Sequence, residues 1–364
     1  MIYRSTGSGG TTQLELLPEL LLGGAWARAR AFNRADIASV GEQLSAVVEI
    51  VRRAARGEPG EVPVLVAFTG LLLDSLDRIQ LPFGTLRPMA QHERALAPTA
   101  LDGTLSHTIS EGDSVVISYA GDLVLETTVP YRVQLVDNAD AGVPLPWPPH
   151  LRGFDEVEAN IDTIRLAALL AGTAEAPLTL VPTWRLTLDP LSFGPMLGWS
   201  DPRTVPGLAP RRLTGAFAAD FADLVTDISA QRRSDFDVAV RRTIQGMATR
   251  GDPSDALVDL VIGWENLFGS GQGELRFRIS AAIAWILGSD ANERIELHEQ
   301  TSSVYDTRSA ILHGSAHTPD QIQESLTIAR RVTVNLLRVL FRERRDVLAM
   351  TNGTARSKAV ILGR

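Results

Sequence analysis

The 364-residue sequence contains no cysteine and a single lysine, Lys358. The absence of cysteine excludes disulfide bonds, thiol nucleophiles and zinc sites built on cysteine thiolates, and it is typical of proteins from a reducing cytoplasm. Uncharged apolar stretches are all shorter than the ~20 residues that a membrane-spanning helix needs. The sequence therefore predicts a cytoplasmic protein that does not enter the membrane.

An excess of positive charge is also absent, since the formal net charge is -8. A net charge of this sign argues against nonspecific binding of nucleic acid by the whole molecule, but it does not exclude a local basic surface that binds nucleic acid. Nine basic and four acidic residues follow Gly314. Within this segment Arg330, Arg331 and Arg338 are candidate contacts for an RNA backbone. A solvated helix face is the alternative interpretation.

The length of the chain exceeds what one hydrophobic core usually supports, so two domains are expected. A stretch rich in proline and glycine, 190–210, is the predicted linker. The resulting domains are a mixed α/β domain over 1–205, with a sensing or regulatory role, and a helical domain over 211–350. Residues 351–364 are predicted to be a flexible tail. The predicted fold class is thus an α+β N-terminal domain followed by an all-α C-terminal domain.

The N-terminal half alternates helical and strand patterns after a polar, glycine-rich segment, 1–13, that we predict to be a flexible tail. Asn33 is the predicted cap of a helix that runs to Arg56. Residues 62–68 form a short apolar run that is typical of a buried strand. Two β-rich segments, 114–119 and 123–136, flank a Gly-Asp pair and predict a hairpin. No motif in this half indicates a ligand.

The C-terminal half is predicted to be entirely helical, with recognisable helix starts at Asp252-Pro253, Asp290 and Thr318-Pro319. Gly314 predicts the end of the helix that precedes Thr318, because glycine readily adopts the left-handed conformation found there. The last helix is predicted to run to about Met350. That length exceeds what a compact bundle needs, and the excess would serve dimerisation.

Chemistry is suggested at one place, the run from Tyr305 to Gly314. It contains Arg308, a permanent cation suited to phosphate, and His313, whose residue type suits proton transfer. The five-residue spacing is not specific by itself, because it recurs at Arg87 and His92. At that second match Pro88 makes a helix interior unfavourable.

Three sequence blocks give the Arg308–His313 pair a context. They are 257–268 (LVDLVIGWENLF), 274–282 (ELRFRISAA) and 305–314 (YDTRSAILHG). In order, spacing and helical character these blocks resemble the Apea-like branch of the HEPN superfamily of small helical ribonuclease domains.

The resemblance implies a metal-independent endoribonuclease that acts as a toxin-like or antiviral (anti-phage) defence effector, needs no cofactor, and cleaves RNA, with tRNA among the candidate substrates. Family members pair two domains face to face, which implies a homodimer through the helical domain and a composite site with Arg308 and His313 as catalytic residues. The N-terminal domain would then respond to an unknown trigger. The alternative is a noncatalytic HEPN module that binds RNA, nucleotide or a partner protein.

Four further residues are candidates for supporting roles. Asp306 and Ser309 lie at one-turn intervals before His313, where they either orient the imidazole or are ordinary surface polarity. Glu265 stands in an apolar helix and needs a partner, so an internal ion pair with an arginine is expected in preference to catalysis. Tyr305, one turn before Arg308, is a packing anchor or a platform for base stacking.

Overall fold

The computed structural model describes most of the chain in twelve segments. These are residues 2–5, 11–34, 36–58, 60–73, 76–110, 113–131, 133–136, 153–173, 177–192, 196–269, 274–314 and 318–363. The chain divides into two compact units: the first comprises 1–161 and 181–202, and the second comprises 162–180 and 203–364. The division differs from the predicted one because residues 162–180 group with the helical half.

The first unit is built on an antiparallel sheet in which six strands of the described residues pair. In spatial order they are β12 (Met196–Trp199), β11 (Val181–Thr187), β3 (Gly60–Thr69), β9 (Leu123–Tyr131), β6 (Gly84–Pro88) and β5 (Ile79–Leu81). The apolar run that predicted a strand lies in β3, where side chains on both faces are buried from Val64 onward. Trp184 of β11 is buried against this sheet and donates its indole N–H to the Ala120 carbonyl at 2.7 Å.

Smaller elements complete the first unit. They are β1 (Ile2–Ser5), β2 (Thr11–Gln13), β4 (Leu71–Leu73), β7 (Thr104–Ser110), β8 (Asp113–Ser118), β10 (Val133–Val136), α1 (Leu17–Ala31), α2 (Ile37–Ala55) and α3 (Gln91–Arg94). Helix α4 (Gly153–Ala171) follows, and the division between the units falls within it.

Three local predictions for this unit are wrong. The N-terminal segment is not simply a tail, since β1 pairs with β2 and with β10; residues 6–10 lie outside the described residues. The two β-rich segments do form strands, but β8 pairs with β7, whereas β9 lies between β3 and β6. The cap of α2 is Asp36, which accepts the Ser39 N–H at 2.9 Å, because Asn33 adopts a left-handed conformation with φ of 55°.

The second unit is helical apart from a short strand, β13 (Arg211–Leu213). Its helices are α5 (Gly215–Gln231), α6 (Asp237–Ile244), α7 (Pro253–Phe268), α8 (Leu275–Leu287), α9 (Ala291–Leu312), α10 (Pro319–Arg342), α11 (Arg345–Leu348) and α12 (Gly353–Leu362). Helix α7 packs against α6, α8, α9, α10 and α12. The predicted order of an α+β N-terminal half and a helical C-terminal half is therefore confirmed. Of the described helices, none combines the length and apolar character needed to cross a membrane.

The helix starts follow the predicted capping residues. Asp252 accepts the Ser254 N–H at 2.8 Å, and Thr318 forms a capping box with Gln321. The last long helix ends earlier than predicted, at Arg342. At 1.5 Å per residue its 24 residues span about 36 Å.

Residues 353–362 form α12, and the predicted flexible tail over 351–364 is therefore wrong for these residues. Gly353 at its start lies so close to the end of α7 that a Cβ there would be 2.3 Å from the Gly269 carbonyl oxygen. Glycine is thus the residue that permits this contact.

Arg356 fixes α12 in place. Its side chain is 1% exposed, pairs with Asp235, donates to the Leu267 carbonyl at 3.2 Å and stacks 4.3 Å from the centre of the Phe236 ring. Burial lowers the pKa of Arg356, and the charge of Asp235 opposes that shift. The buried cation is therefore compensated by a carboxylate, a carbonyl and an aromatic face.

We expect Arg356→Ala to lower the free energy of unfolding by about 3 kcal/mol, because it removes one partner of a buried ion pair and leaves a void beside Phe236. Urea unfolding followed by circular dichroism measures this change. Lys358→Ala on the exposed side of the same helix is the matched control and should change stability little. Equal effects of the two substitutions would show that α12 does not depend on the buried arginine.

Candidate functional site

Helix α9 carries the Arg308–His313 pair and has well-defined ends. Asp290 accepts the backbone N–H groups of Asn292 and Glu293 at 2.8 and 3.0 Å. At the other end His313 is the C-cap, followed by Gly314 with a φ of +69°. The helix is continuous for 22 residues.

Glu265 of α7 brings two of the predicted residues of α9 together. The Tyr305 hydroxyl donates a hydrogen bond to Glu265 Oε1, and Arg308 Nη2 lies 3.3 Å from Glu265 Oε2. The guanidinium carbon of Arg308 is 5.6 Å from the centre of the Tyr305 ring. Glu265 thus binds a phenol and a guanidinium that lie one helical turn apart on α9. Its contact with Arg308 is the expected ion pair between Glu265 and a helix arginine.

The Glu265 cluster lies at the edge of the protein interior. The side chains of Arg308 and Glu265 are 20% and 24% exposed. Arg308 Nε is buried and, within the described residues, has no hydrogen-bond partner. The Arg308 side chain is therefore partly exposed to solvent and is anchored on one side by Glu265.

Tyr305 is held in its neutral form. Burial raises its pKa well above the ordinary value of 10.0, and the hydrogen bond and negative charge of Glu265 raise it further, while the cation of Arg308 opposes the shift. Tyr305 is thus a hydrogen-bond donor to Glu265 and not a proton acceptor at physiological pH.

The remaining predicted residues of α9 are not part of this cluster. Asp306 forms an ion pair with Arg276 of α8 at 2.7 Å, with both side chains 53% exposed. Ser309 is half-buried, and its backbone carbonyl accepts the N–H of His313 at 3.1 Å. Arg276 was not singled out in the sequence, although it lies within one of the three blocks; the only available signal was its charge, opposite to that of Asp306.

His313 is exposed at the end of α9, and its side chain does not meet Arg308. Among the described residues no hydrogen bond or ion pair joins the two, as expected for positions about 140° apart around an ideal helix. The helix does not unwind between them. Within one chain, the two residues therefore present separate groups.

The three arginines predicted to contact RNA do not form a common basic surface. Arg330 is partly buried and binds the Gly246 carbonyl at 3.4 Å, and burial lowers its pKa. Arg331 and Arg338 do lie on one face of α10, where they bond Gln300 at 2.8 Å and Asp220 at 3.4 Å. A groove beside these two is also lined by carboxylates, namely those of Glu293, Glu296 and Glu343.

Potential metal ligands are not clustered: in the described segments no group of three or more His, Asp or Glu side chains is arranged to hold an ion.

The chain matches no protein-family model, and neither the curated proteins nor the solved structures provide a significant match. Functional conclusions therefore depend on the chain's own residues and on the resemblance of its three blocks.

We expect the stabilising effect of the Tyr305–Glu265 hydrogen bond to be lost at high pH. A pKa that is higher in the folded than in the unfolded state gives stability that is complete below the unfolded value, near 10.0, and declines as pH rises above it. The stability difference between wild type and Tyr305→Phe should therefore shrink from about pH 8 to about pH 11 in urea unfolding experiments. A difference that stays constant over this range would contradict the raised pKa.

Proposed function

We propose that this protein is a metal-independent endoribonuclease of the HEPN class, with Arg308 and His313 as its catalytic residues. The observation that carries the proposal is the fixed guanidinium of Arg308, held at the surface by Glu265, on the same helix as an exposed histidine. The resemblance of the three blocks supplies the reaction class.

The chemistry needs a base, an acid and a cation. A base removes the proton of the ribose 2′-hydroxyl, the oxygen attacks the adjacent phosphorus, and the bond to the 5′-oxygen breaks as an acid protonates it. The products carry a 2′,3′-cyclic phosphate and a 5′-hydroxyl. Histidine titrates near neutrality and suits either proton transfer, and arginine stabilises the charge on the phosphoryl oxygens.

A composite site follows from the separation of the two residues within one chain. If two helical units pair face to face as a homodimer, Arg308 of one chain meets His313 of the other, and two histidines are then present as acid and base. Glu265 and Tyr305 act as positioning residues for Arg308. Asp306 is paired with Arg276, so the proposal gives it no direct contact with the imidazole of His313.

The wider role rests on the resemblance alone: a cytoplasmic, toxin-like or antiviral effector whose N-terminal half restrains the site until a trigger arrives. A second candidate is a noncatalytic HEPN module that binds RNA, nucleotide or a partner protein. The observation that favours it is the ion pair between Arg308 and Glu265, because it already neutralises part of the charge that catalysis requires.

We expect Arg308→Ala and His313→Ala each to reduce RNA cleavage in EDTA by at least about 100-fold, since each removes a group that acts on the transition state. The measurement is gel analysis of total RNA with detection of cyclic-phosphate ends. His92→Ala is the matched control, because it alters the second Arg-x4-His motif, and it should retain activity. Absence of cleavage by wild type in total RNA and in extracts of phage-infected cells would favour the binding module.

We expect mixtures of wild-type and His313→Ala subunits to lose activity faster than in proportion to the mutant added, because each heterodimer lacks one of the two histidines. Activity is measured after subunit exchange has been verified with differently tagged chains. A mixture with Ser303→Ala, an exposed position on the same helix, serves as the control. A strictly proportional loss with His313→Ala would mean that each chain works alone.

A further inference from the structure

The second unit contains a pocket of ≈ 410 Å³ that lies on α6 and on the π-helical turn 245–249. The described residues that line it are Val238, Arg241, Arg242, Gln245 and Arg250. None of these is acidic, whereas three are arginines, in a chain whose net charge is -8. The pocket wall therefore consists mainly of cationic hydrogen-bond donors.

The local structure explains why the three arginines converge. Residues 238, 241, 242 and 245 share one face of a helix by their spacing. The π-helical turn then brings Arg250 round to the same face, and π-helical turns are frequent at functional sites. Gly246 allows this turn to pack on α7, because a Cβ there would lie 2.7 Å from the Ala256 carbonyl oxygen.

A buried carboxylate fixes two of the guanidinium groups. Asp259 of α7 is 2% exposed; it accepts a hydrogen bond from Arg242 Nη1 on one oxygen and from Arg250 Nε, at 2.7 Å, on the other. Both arginine side chains are nevertheless 40% exposed. Asp259 thus orients each planar group from behind and leaves other N–H donors facing solvent.

The charge around the pocket remains positive after its acidic neighbours are included. Two carboxylates act on Arg250, Asp259 directly and Asp255 through its charge. Arg241 is exposed and donates to the backbone carbonyl of Asp237 at 3.2 Å. The carboxylate of Asp237 is bonded to Arg232 at 3.0 Å and is therefore already paired.

We propose that this arginine pocket binds a phosphate group. Preorganised guanidinium forks match phosphate oxygens in geometry and charge, and a fixed orientation lowers the entropic cost of binding. The phosphate belongs either to a phosphodiester of a single RNA strand or to the diphosphate of a free nucleotide. The site is separate from the Arg308–His313 pair and does not require that the protein cleave RNA.

The test measures binding of two probes to the full-length protein by calorimetry. One is pyrophosphate, and the other is a 2′-O-methyl oligoribonucleotide with hydroxyl ends, which contains only phosphodiesters and cannot be cleaved by 2′-hydroxyl attack. Arg241→Gln should weaken whichever probe the pocket accepts by about tenfold. If this is the oligonucleotide, the slope of log affinity against log salt should fall by about 0.7 in magnitude.

Arg344→Gln is the matched control, because it removes the same charge from the same unit at a partly exposed arginine paired with Asp346. Within the described part of the chain, the Arg241 side chain donates its hydrogen bond to a backbone carbonyl and to no other side chain. Its variant should therefore keep the wild-type unfolding midpoint, which is checked in parallel. A loss of affinity specific to Arg241→Gln supports the site, and the probe affected identifies the source of the phosphate. If wild type binds neither probe, or if both variants bind alike, the proposal is overturned.

Discussion

Two carboxylates on helix α7 are the constraint on which the helical unit depends. Asp259 and Glu265 stand in a helix whose other inward positions are apolar, and a carboxylate there must find cationic or hydrogen-bonding partners. Asp259 finds them in Arg242 and Arg250, and Glu265 finds them in Tyr305 and Arg308. Each pairing fixes guanidinium groups that still reach solvent.

The ion pair between Glu265 and Arg308 both assists and limits the proposed chemistry. A guanidinium already held in place needs no reorganisation when charge develops on a phosphate, which is the main advantage of a preorganised site. Its ion pair with Glu265, however, withdraws part of the positive charge. His313 is exposed at the end of α9, and in the proposed homodimer the second chain would supply the second histidine of the composite site.

The basic segment after Gly314 shows why charge counts and charged surfaces differ. Several of its arginines pair with aspartates of the helical unit: Arg338 and Arg342 with Asp220, Arg344 with Asp346, Arg345 with Asp227, and Arg356 with Asp235. Apart from the local Arg344–Asp346 pair at the start of α11, these ion pairs connect α10, α11 and α12 to other elements of the unit. The more concentrated basic surface lies instead at α6, in a stretch whose composition did not distinguish it.

The sequence alone determined the features that depend on neighbouring residues. Asp252, Asp290 and Thr318 marked helix starts and Gly314 marked a helix end, because a cap is decided by backbone groups within three or four positions. The helical spacing of apolar residues likewise predicted the helical C-terminal half, and a short apolar run predicted the buried strand β3.

Tertiary structure decided everything that requires a distant partner. The pairing of β9 with β3 and β6, the packing of α12 by Arg356, and the choice of Arg308 as the partner of Glu265 join segments that are separated along the chain and that no local pattern connects. Arg308 and His313 were likewise recognisable as a pair in the sequence, and their spacing places them about 140° apart on an ideal helix; the structure adds that α9 is continuous between them. The spacing of two residues along a helix determines the directions in which their side chains point, whereas the contacts of those side chains depend on which other elements pack against the helix.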